Sequence, residues 1–127
     1  MRYYIAYKFT GEDPRELKGT LEHICNLLSE QGHSHYCSFF DPRMINIGNK
    51  RVIERAFNEI DNSNGLLVFI KSKDRSEGML IEIGYALSKK KKINLLIKKG
   101  IETTFVREIA DKIIEFNDIK ELNKIDV

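Results

Sequence analysis

Gly65-Leu66-Leu67-Val68-Phe69-Ile70 has no polar side chain in six positions. A half-exposed strand alternates apolar with polar, so a short unbroken run of this kind marks a strand covered on both faces. Such strands belong to parallel sheets flanked by helices, and Ile93 to Ile97 reads as a second one. Parallel neighbours need a crossover of a dozen residues or more, usually a helix. The rest of the chain should therefore alternate helix and strand.

It does. Tyr3-Tyr4-Ile5-Ala6-Tyr7 opens the chain as an aromatic, β-branched strand. The loop Thr10 to Pro14 ends in a helix start, with Asp13 as N-cap and Pro14 in the first helical position. Leu17, Leu21, Ile24, Leu27 and Leu28 recur at spacings of three and four, an amphipathic helix that stops near Gly32. His35 to Phe40 is expected as the second strand, broken by Asp41-Pro42. Val52, Ile53, Ala56, Phe57 and Ile60 mark a second helix, from Asn49 to about Asn62. A charged loop, Lys71 to Glu77, leads into a third helix over Gly78 to Ser88. Thr103 to Ala110 suits a short helix, Ile113 to Phe116 a last short strand, and the tail beyond Asp118 a further helical turn or two. The order β-α-β-α-β-α-β-α-β implies an α/β fold: a doubly wound, five-stranded parallel sheet of flavodoxin or Rossmann type, strand order 2-1-3-4-5. It should fill residues 1–127 as a single domain.

At 127 residues the chain has room for one domain and no second. Charged residues are 31%, but 21 Lys+Arg against 19 Asp+Glu leave a net charge of only +2, which argues against nucleic-acid binding by bulk charge. No apolar run approaches the roughly 18 residues of a membrane span, and Met1 to Ile5 lacks the apolar region and cleavage site of a signal peptide. The expectation is a cytoplasmic protein in which Cys25 and Cys37 are free thiols. Neither those cysteines nor His23, His33 and His35 have ligand spacing, so no metal site is expected. Lys89 to Lys92, the one biased run, complements the dipole of the helix that it ends.

In an open parallel sheet, ligands bind beyond the carboxyl ends of the strands, where the strand order reverses. Three loops should meet there: Tyr7 to Asp13, Lys71 to Gly78, and Lys98 to Thr104. Just behind the second, Glu82 sits in Met79-Leu80-Ile81-Glu82-Ile83-Gly84-Tyr85-Ala86-Leu87, an almost wholly apolar helix. Carboxylates are seldom buried without a reason, and an apolar-embedded acid is a candidate functional group. Ser76 lies six residues before it, and Gly78 between them clears room for a ligand. Ser76 and the amides at the helix start could hold an anion. The alternative is that Glu82 lies at the solvent edge of its helix or pairs with Lys89 or Lys90. The polar loop Asp41 to Gly48 reads either as a lid or as an ordinary solvated connection.

The stretch Ser76-Glu77-Gly78-Met79-Leu80-Ile81-Glu82-Ile83-Gly84-Tyr85-Ala86-Leu87-Ser88, with Lys92-Ile93 beyond it, resembles the signature of the nucleoside 2-deoxyribosyltransferase family. Tyr4-Ile5-Ala6 is similar to that family's first strand, which carries an active-site Tyr. Ile60 to Val68 is similar to its junction of helix and third strand. The resemblance spans most of residues 3 to 97. It implies cleavage of the N-glycosidic bond of a 2′-deoxynucleoside or its 5′-monophosphate, by an N-hydrolase or a deoxyribosyltransferase. Glu82 would attack the anomeric carbon, release the base and form a glycosyl-enzyme intermediate that water or a second base resolves. Tyr4 would orient the carboxylate. Ser76, where family transferases on free nucleosides have Asp, matches the related deoxynucleoside 5′-monophosphate N-hydrolases and implies a nucleotide. Gly78, Met79 and Ala6 would lie beside the substrate, and Lys8 or Lys71 could add charge to its phosphate.

Two departures qualify this pattern. Ala56 stands where the family has an Asp, and Asp61, Glu54 or Glu59 are the acids that could replace it. Tyr7 and Lys8 occupy the place of a glycine-rich turn, so Tyr7 would narrow the pocket or become the active-site phenol itself. Family members assemble into dimers or larger homo-oligomers, the neighbour's C-terminal segment completing the pocket; here that points to Thr103, Thr104 and Asn117 to Asn123. A second resemblance, to TIR domains, rests on the Tyr4 strand, the fold and a Ser six residues before the Glu. It implies cleavage of the nicotinamide–ribose bond of NAD by the same Glu82. A third reading is a nucleotide-binding or scaffold module that kept the fold and lost catalysis, which Ala56 favours. The catalytic readings imply no metal or organic cofactor. The expected partner is a small nucleoside or nucleotide, not nucleic acid and not a membrane.

Overall fold

The computed structural model of the protein describes residues 1–102 and 104–127. Five strands, β1 (Arg2–Ala6), β2 (Ser34–Tyr36), β3 (Gly65–Ile70), β4 (Lys92–Lys98) and β5 (Lys112–Phe116), form one parallel sheet in the order β2-β1-β3-β4-β5. Helices α1 (Pro14–Glu30), α2 (Asn49–Asp61), α3 (Glu77–Ser88) and α4 (Phe105–Ile109) make the crossovers. This is the expected order. The chain leaves β1 toward β2 and then returns past β1 to β3, so the direction of winding reverses at β1 and β3. Right-handed crossovers therefore put α1 on one face and α2, α3 and α4 on the other.

Side chains alternate between these faces with period two. Tyr3, Ile5, Leu67, Phe69, Leu96 and Phe116 meet Leu17, Leu21, Ile24 and Leu28 of α1. Tyr4, Ala6, Leu66, Val68, Leu95 and Ile97 meet Ala56 and Ile60 of α2, Met79, Ile83 and Ala86 of α3, and Val106 of α4. Every residue of β3 is buried, as its apolar run requires. Gly65 opens that strand opposite Lys92, and a Cβ there would stand 2.8 Å from the Lys92 carbonyl oxygen, so the close pairing of β3 with β4 needs glycine. The Asp13 carboxylate caps α1 by accepting from the Arg15 amide, with Pro14 behind it. At the other end of α1 the Gln31 side chain exchanges two hydrogen bonds with the Ile125 backbone, at 2.6 and 2.7 Å, pinning the tail against the α1 face.

The second strand is shorter than expected. It stops at Tyr36, and Ser38–Phe40 and Pro42–Met44 are 3-10 turns. Aromatic side chains favour strands, but β1 offers no pairing past Tyr4↔Tyr36. The chain bends instead, setting Phe39 against the Tyr7 ring with 6.5 Å between ring centres. The Ser38 hydroxyl comes within 2.9 Å of the Tyr7 hydroxyl. The tail forms one 3-10 turn, Ile119–Glu121. Among the described residues no helix is long and apolar enough to cross a membrane.

Candidate active site

The N-terminus of α3 lies beyond the carboxyl end of β3. Its cap is Ser76, whose hydroxyl accepts from the Met79 amide at 3.2 Å and keeps its own hydrogen free to donate. From there α3 runs back across the sheet, burying Met79, Ile83 and Ala86. Glu82 shares that side, at spacings of three from Met79 and four from Ala86. Its Oε2 accepts a hydrogen bond from the hydroxyl of Tyr4. Lys89 turns elsewhere, toward Asp61 at 3.9 Å.

Glu82 is half-buried, whereas Tyr4 is 1% exposed. Burial pushes the Glu82 carboxyl up to about 7, with the Tyr4 hydrogen bond working in the opposite direction. Burial, and then the charge of Glu82, drive the Tyr4 phenol far above its ordinary range. Tyr4 thus remains a donor at any physiological pH. Oε2 is held by that donor, which leaves Oε1 as the oxygen free to meet a ligand.

Three residues that the sequence did not single out stand behind this pair. The Tyr36 ring lies nearly parallel to that of Tyr4, 5.6 Å between centres and 23° between planes. The Tyr36 hydroxyl donates to Asp41 Oδ2 at 2.6 Å. Asp41 Oδ1 accepts from the Arg43 amide at 3.0 Å and from its Nε at 2.9 Å. Arg43 foremost, and Tyr36 with it, hold the Asp41 carboxyl well below the usual range against the opposing effect of burial. The local signal was an Asp-Pro turn start with Arg two residues on; the partnership with Tyr36 exists only once the chain bends.

Two crevices open past the carboxyl ends of the strands, and neither is bordered by Tyr4 or Glu82. Tyr7, Ser38, Asp41 and Val52 border an open trough of about 750 Å³. Arg75, Ser76, Met79 and Thr104 border a cavity of about 390 Å³. Tyr7 is half-buried beside Ser38, and burial raises its phenol, to which the charge of Glu82 adds. Ala6 is fully buried in the sheet. Gly78 is exposed, and a Cβ there would meet nothing within 4 Å.

The other expected residues lie apart from the pair. Lys8 donates to Glu12 at 2.9 Å and to the Thr10 carbonyl at 2.6 Å. Lys71 also meets Glu12, at 2.7 Å. Asp61, in the last turn of α2, accepts from the Tyr85 hydroxyl at 2.8 Å. Glu59 is paired with Arg2 at 2.6 Å, Glu54 is exposed, and Ala56 is 1% exposed in the core. The turn at Ile119–Glu121 packs on the α1 face, opposite Glu82. Thr103 lies outside the described residues. Among the described residues no group of three or more His, Cys, Asp or Glu is placed to hold a metal ion.

Fold and site together define an open, doubly wound α/β sheet with a carboxylate–phenol pair at its reversal point. Among solved structures it is similar in fold to the CMP N-glycosidase of Clostridium botulinum, with a TM-score of 0.69 and 21% identity over 95% of this chain and 93% of that one. It is also similar to a 2-deoxyribosyltransferase of Bacillus psychrosaccharolyticus, with a TM-score of 0.73 and 17% identity over 99% of this chain and 93% of that one. No protein-family model matches the sequence, and no curated protein matches it.

Proposed function

We propose that the protein is an enzyme that cleaves the N-glycosidic bond of a nucleoside or its 5′-monophosphate, with Glu82 as nucleophile. The observation that carries this reading is the Tyr4–Glu82 pair: a half-buried acid, raised to about 7, bonded through one oxygen to a phenol that stays protonated. Such an acid is ionised in a large fraction of molecules at neutral pH yet poorly solvated, which suits attack on carbon. Oε1 attacks C1′ of the sugar, and the base departs with the electrons of the C–N bond and takes up a proton. The glycosyl ester on Glu82 is then opened by water, giving hydrolysis, or by a second base, giving transfer. Fold neighbours that are a CMP N-glycosidase and a 2-deoxyribosyltransferase support this bond as the target.

Ser76 supports a nucleotide, because its hydroxyl still has a hydrogen to give to a phosphate. Met79, next to Gly78, borders the cavity beside Ser76, while Lys8 and Lys71 share Glu12 and Lys71 also meets Glu16 at 3.6 Å. Thr104 borders the same cavity, where a segment of a second copy would complete the pocket of a homo-oligomer. Ala56 supports a second reading, a nucleotide-binding module without turnover, since no acid stands at that core position.

The test is to incubate the protein with dCMP, dGMP, CMP, deoxynucleosides and NAD, and to measure released base by chromatography. Base release from a nucleoside or nucleotide is expected, reduced at least ~10³-fold in Glu82→Ala, the scale of losing a nucleophile. As pH falls through about 7, kcat/KM should fall with it, as Glu82 takes up its proton. Nicotinamide release from NAD alone would move the protein to the TIR-like activity. Nucleotide binding without release would leave the module.

A further inference from the structure

We infer that Tyr36 and Asp41 are positioning residues for the Tyr4–Glu82 pair, setting the direction in which the Tyr4 hydroxyl meets the carboxylate; this rests on the reading of Glu82 as nucleophile. Among the described residues Asp41 is the one carboxylate in the buried class, at 8% exposed. A buried charge is costly unless it is fully bonded. Capping the turn at Pro42–Met44 uses only Oδ1, which takes the Arg43 amide. The second oxygen, Oδ2, accepts from Arg43 Nη2 at 3.0 Å and also reaches inward to the Tyr36 hydroxyl. Turn formation does not require that contact.

Its consequence lies one strand over. Tyr36 is the last residue of a three-residue edge strand, a weak element for fixing a large ring. Asp41 fixes the ring at its far end. Tyr4 and Tyr36 are register partners, so pairing sets their rings side by side and nearly parallel. One ring ends on Asp41 and the other on Glu82. With Tyr36 tethered, Tyr4 cannot swing toward the sheet edge, and its hydroxyl stays on Oε2. Misplacing a catalytic group by a fraction of an ångström is enough to slow chemistry.

The titratable groups that interact with Glu82 are Tyr4 and Tyr7, from β1 and the residue beyond it, and the Cys37 thiol after β2. Neither Tyr36 nor Asp41 is among them, and Tyr36 bears on Tyr4. A shift in Glu82 titration in variants at either position therefore reports the Tyr4 bond. That bond favours the ionised acid, so loosening it raises the midpoint.

The experiment follows the Glu82 carboxyl carbon by ¹³C NMR across pH, assigned by its loss in Glu82→Gln. Tyr4→Phe should raise the midpoint most. Tyr36→Phe and Asp41→Asn should raise it by a smaller amount, about half a unit, and lower kcat by about tenfold with KM within twofold. Arg43→Gln, at an exposed position, replaces Asp41→Asn if that variant does not fold. Ser63→Ala is the structural control: Ser63 is equally buried and donates to the Glu59 carbonyl, so it should lower the melting temperature without moving the midpoint. If Tyr36→Phe behaves as Ser63→Ala does, the inference is overturned while the nucleophile reading stands. If the midpoint moves but no substrate is ever turned over, the positioning is supported and the nucleophile reading fails.

Discussion

The two faces of the sheet are made from the same strands and differ in what they admit. Tyr3 and Tyr4 show it within one step of the chain. Tyr3, facing α1, is 4% exposed and packs edge-on against the His33 ring at 5.2 Å. Tyr4, facing α2 and α3, lies against another phenol and donates to a carboxylate. Around Tyr3 the face is closed by hydrocarbon, with Leu17, Leu21, Ile24 and Leu28 no more than 2% exposed. On the face around Tyr4 stand two acids, Glu82 half-buried and Asp41 buried. The comparison teaches a division of labour. The sealed face supplies the rigidity that lets the other hold a partly desolvated acid in a defined place, as sites on rigid elements require.

The largest effect that separates the faces is on stability. Leu28→Ala removes a fully buried side chain of α1 and should cost about 3 kcal/mol in denaturant unfolding. Base release per folded molecule should stay at the native level. A loss of turnover in the folded fraction would mean that the faces are not separable, because strain then passes through the sheet to Glu82.

On the other face the expected stability effect changes with pH. The carboxyl of Glu82 is raised from 4.5 to about 7 in the folded chain. The folded state therefore holds the proton more tightly than the unfolded state, and ionisation costs stability. That cost is absent below about pH 4.5, grows as pH rises, and is complete above about pH 7, on the order of 3 kcal/mol. Glu82→Gln removes the charge and keeps a carbonyl to accept from Tyr4. It should melt several degrees higher than the native protein at pH 8, with the gap narrowing as pH falls and closed by about pH 4. A gap that does not vary with pH would show that the acid is hydrated and that the two faces differ less than their geometry says.

The same contrast divides what the sequence could reveal. β3 was legible because its run suits only a strand covered on both sides, and the crossovers followed from that. The start of α1 was legible in Asp13-Pro14, since capping is local chemistry. Glu82 was legible as an acid among apolar neighbours, which is itself a statement about one face of a helix. The end of β2 was not. Its aromatic residues have strand propensity, while pairing ends at Tyr4↔Tyr36 and the bend brings Ser38 to Tyr7, 31 positions before it. Asp41 looked like a breaker because only its turn chemistry is local, and Tyr36 acquires its meaning from a ring on another strand. Lys8 stands four residues before its partner Glu12, but in a loop that spacing defines no common face.

Asp61 marks the opposite limit, an expected site residue whose carboxylate meets Tyr85 and Lys89 rather than Tyr4 or Glu82. Its carboxylate sits in the last turn of α2, 42% exposed, beside the Tyr85 hydroxyl and Lys89. Tyr85 is held there independently, its ring stacked on Phe57 at 3.9 Å and 4°. Asp61→Asn should change stability by no more than about 0.5 kcal/mol, the usual scale of an exposed substitution. It should leave base release within about twofold, because an amide still accepts from Tyr85 and no charge near Glu82 is altered. Steady-state rates on the best substrate decide the matter. If Asp61→Asn slows base release as Tyr36→Phe is expected to, the far end of α2 must reach the sugar in a second arrangement of the chain, and the boundary between the working face and its surface would have to be moved.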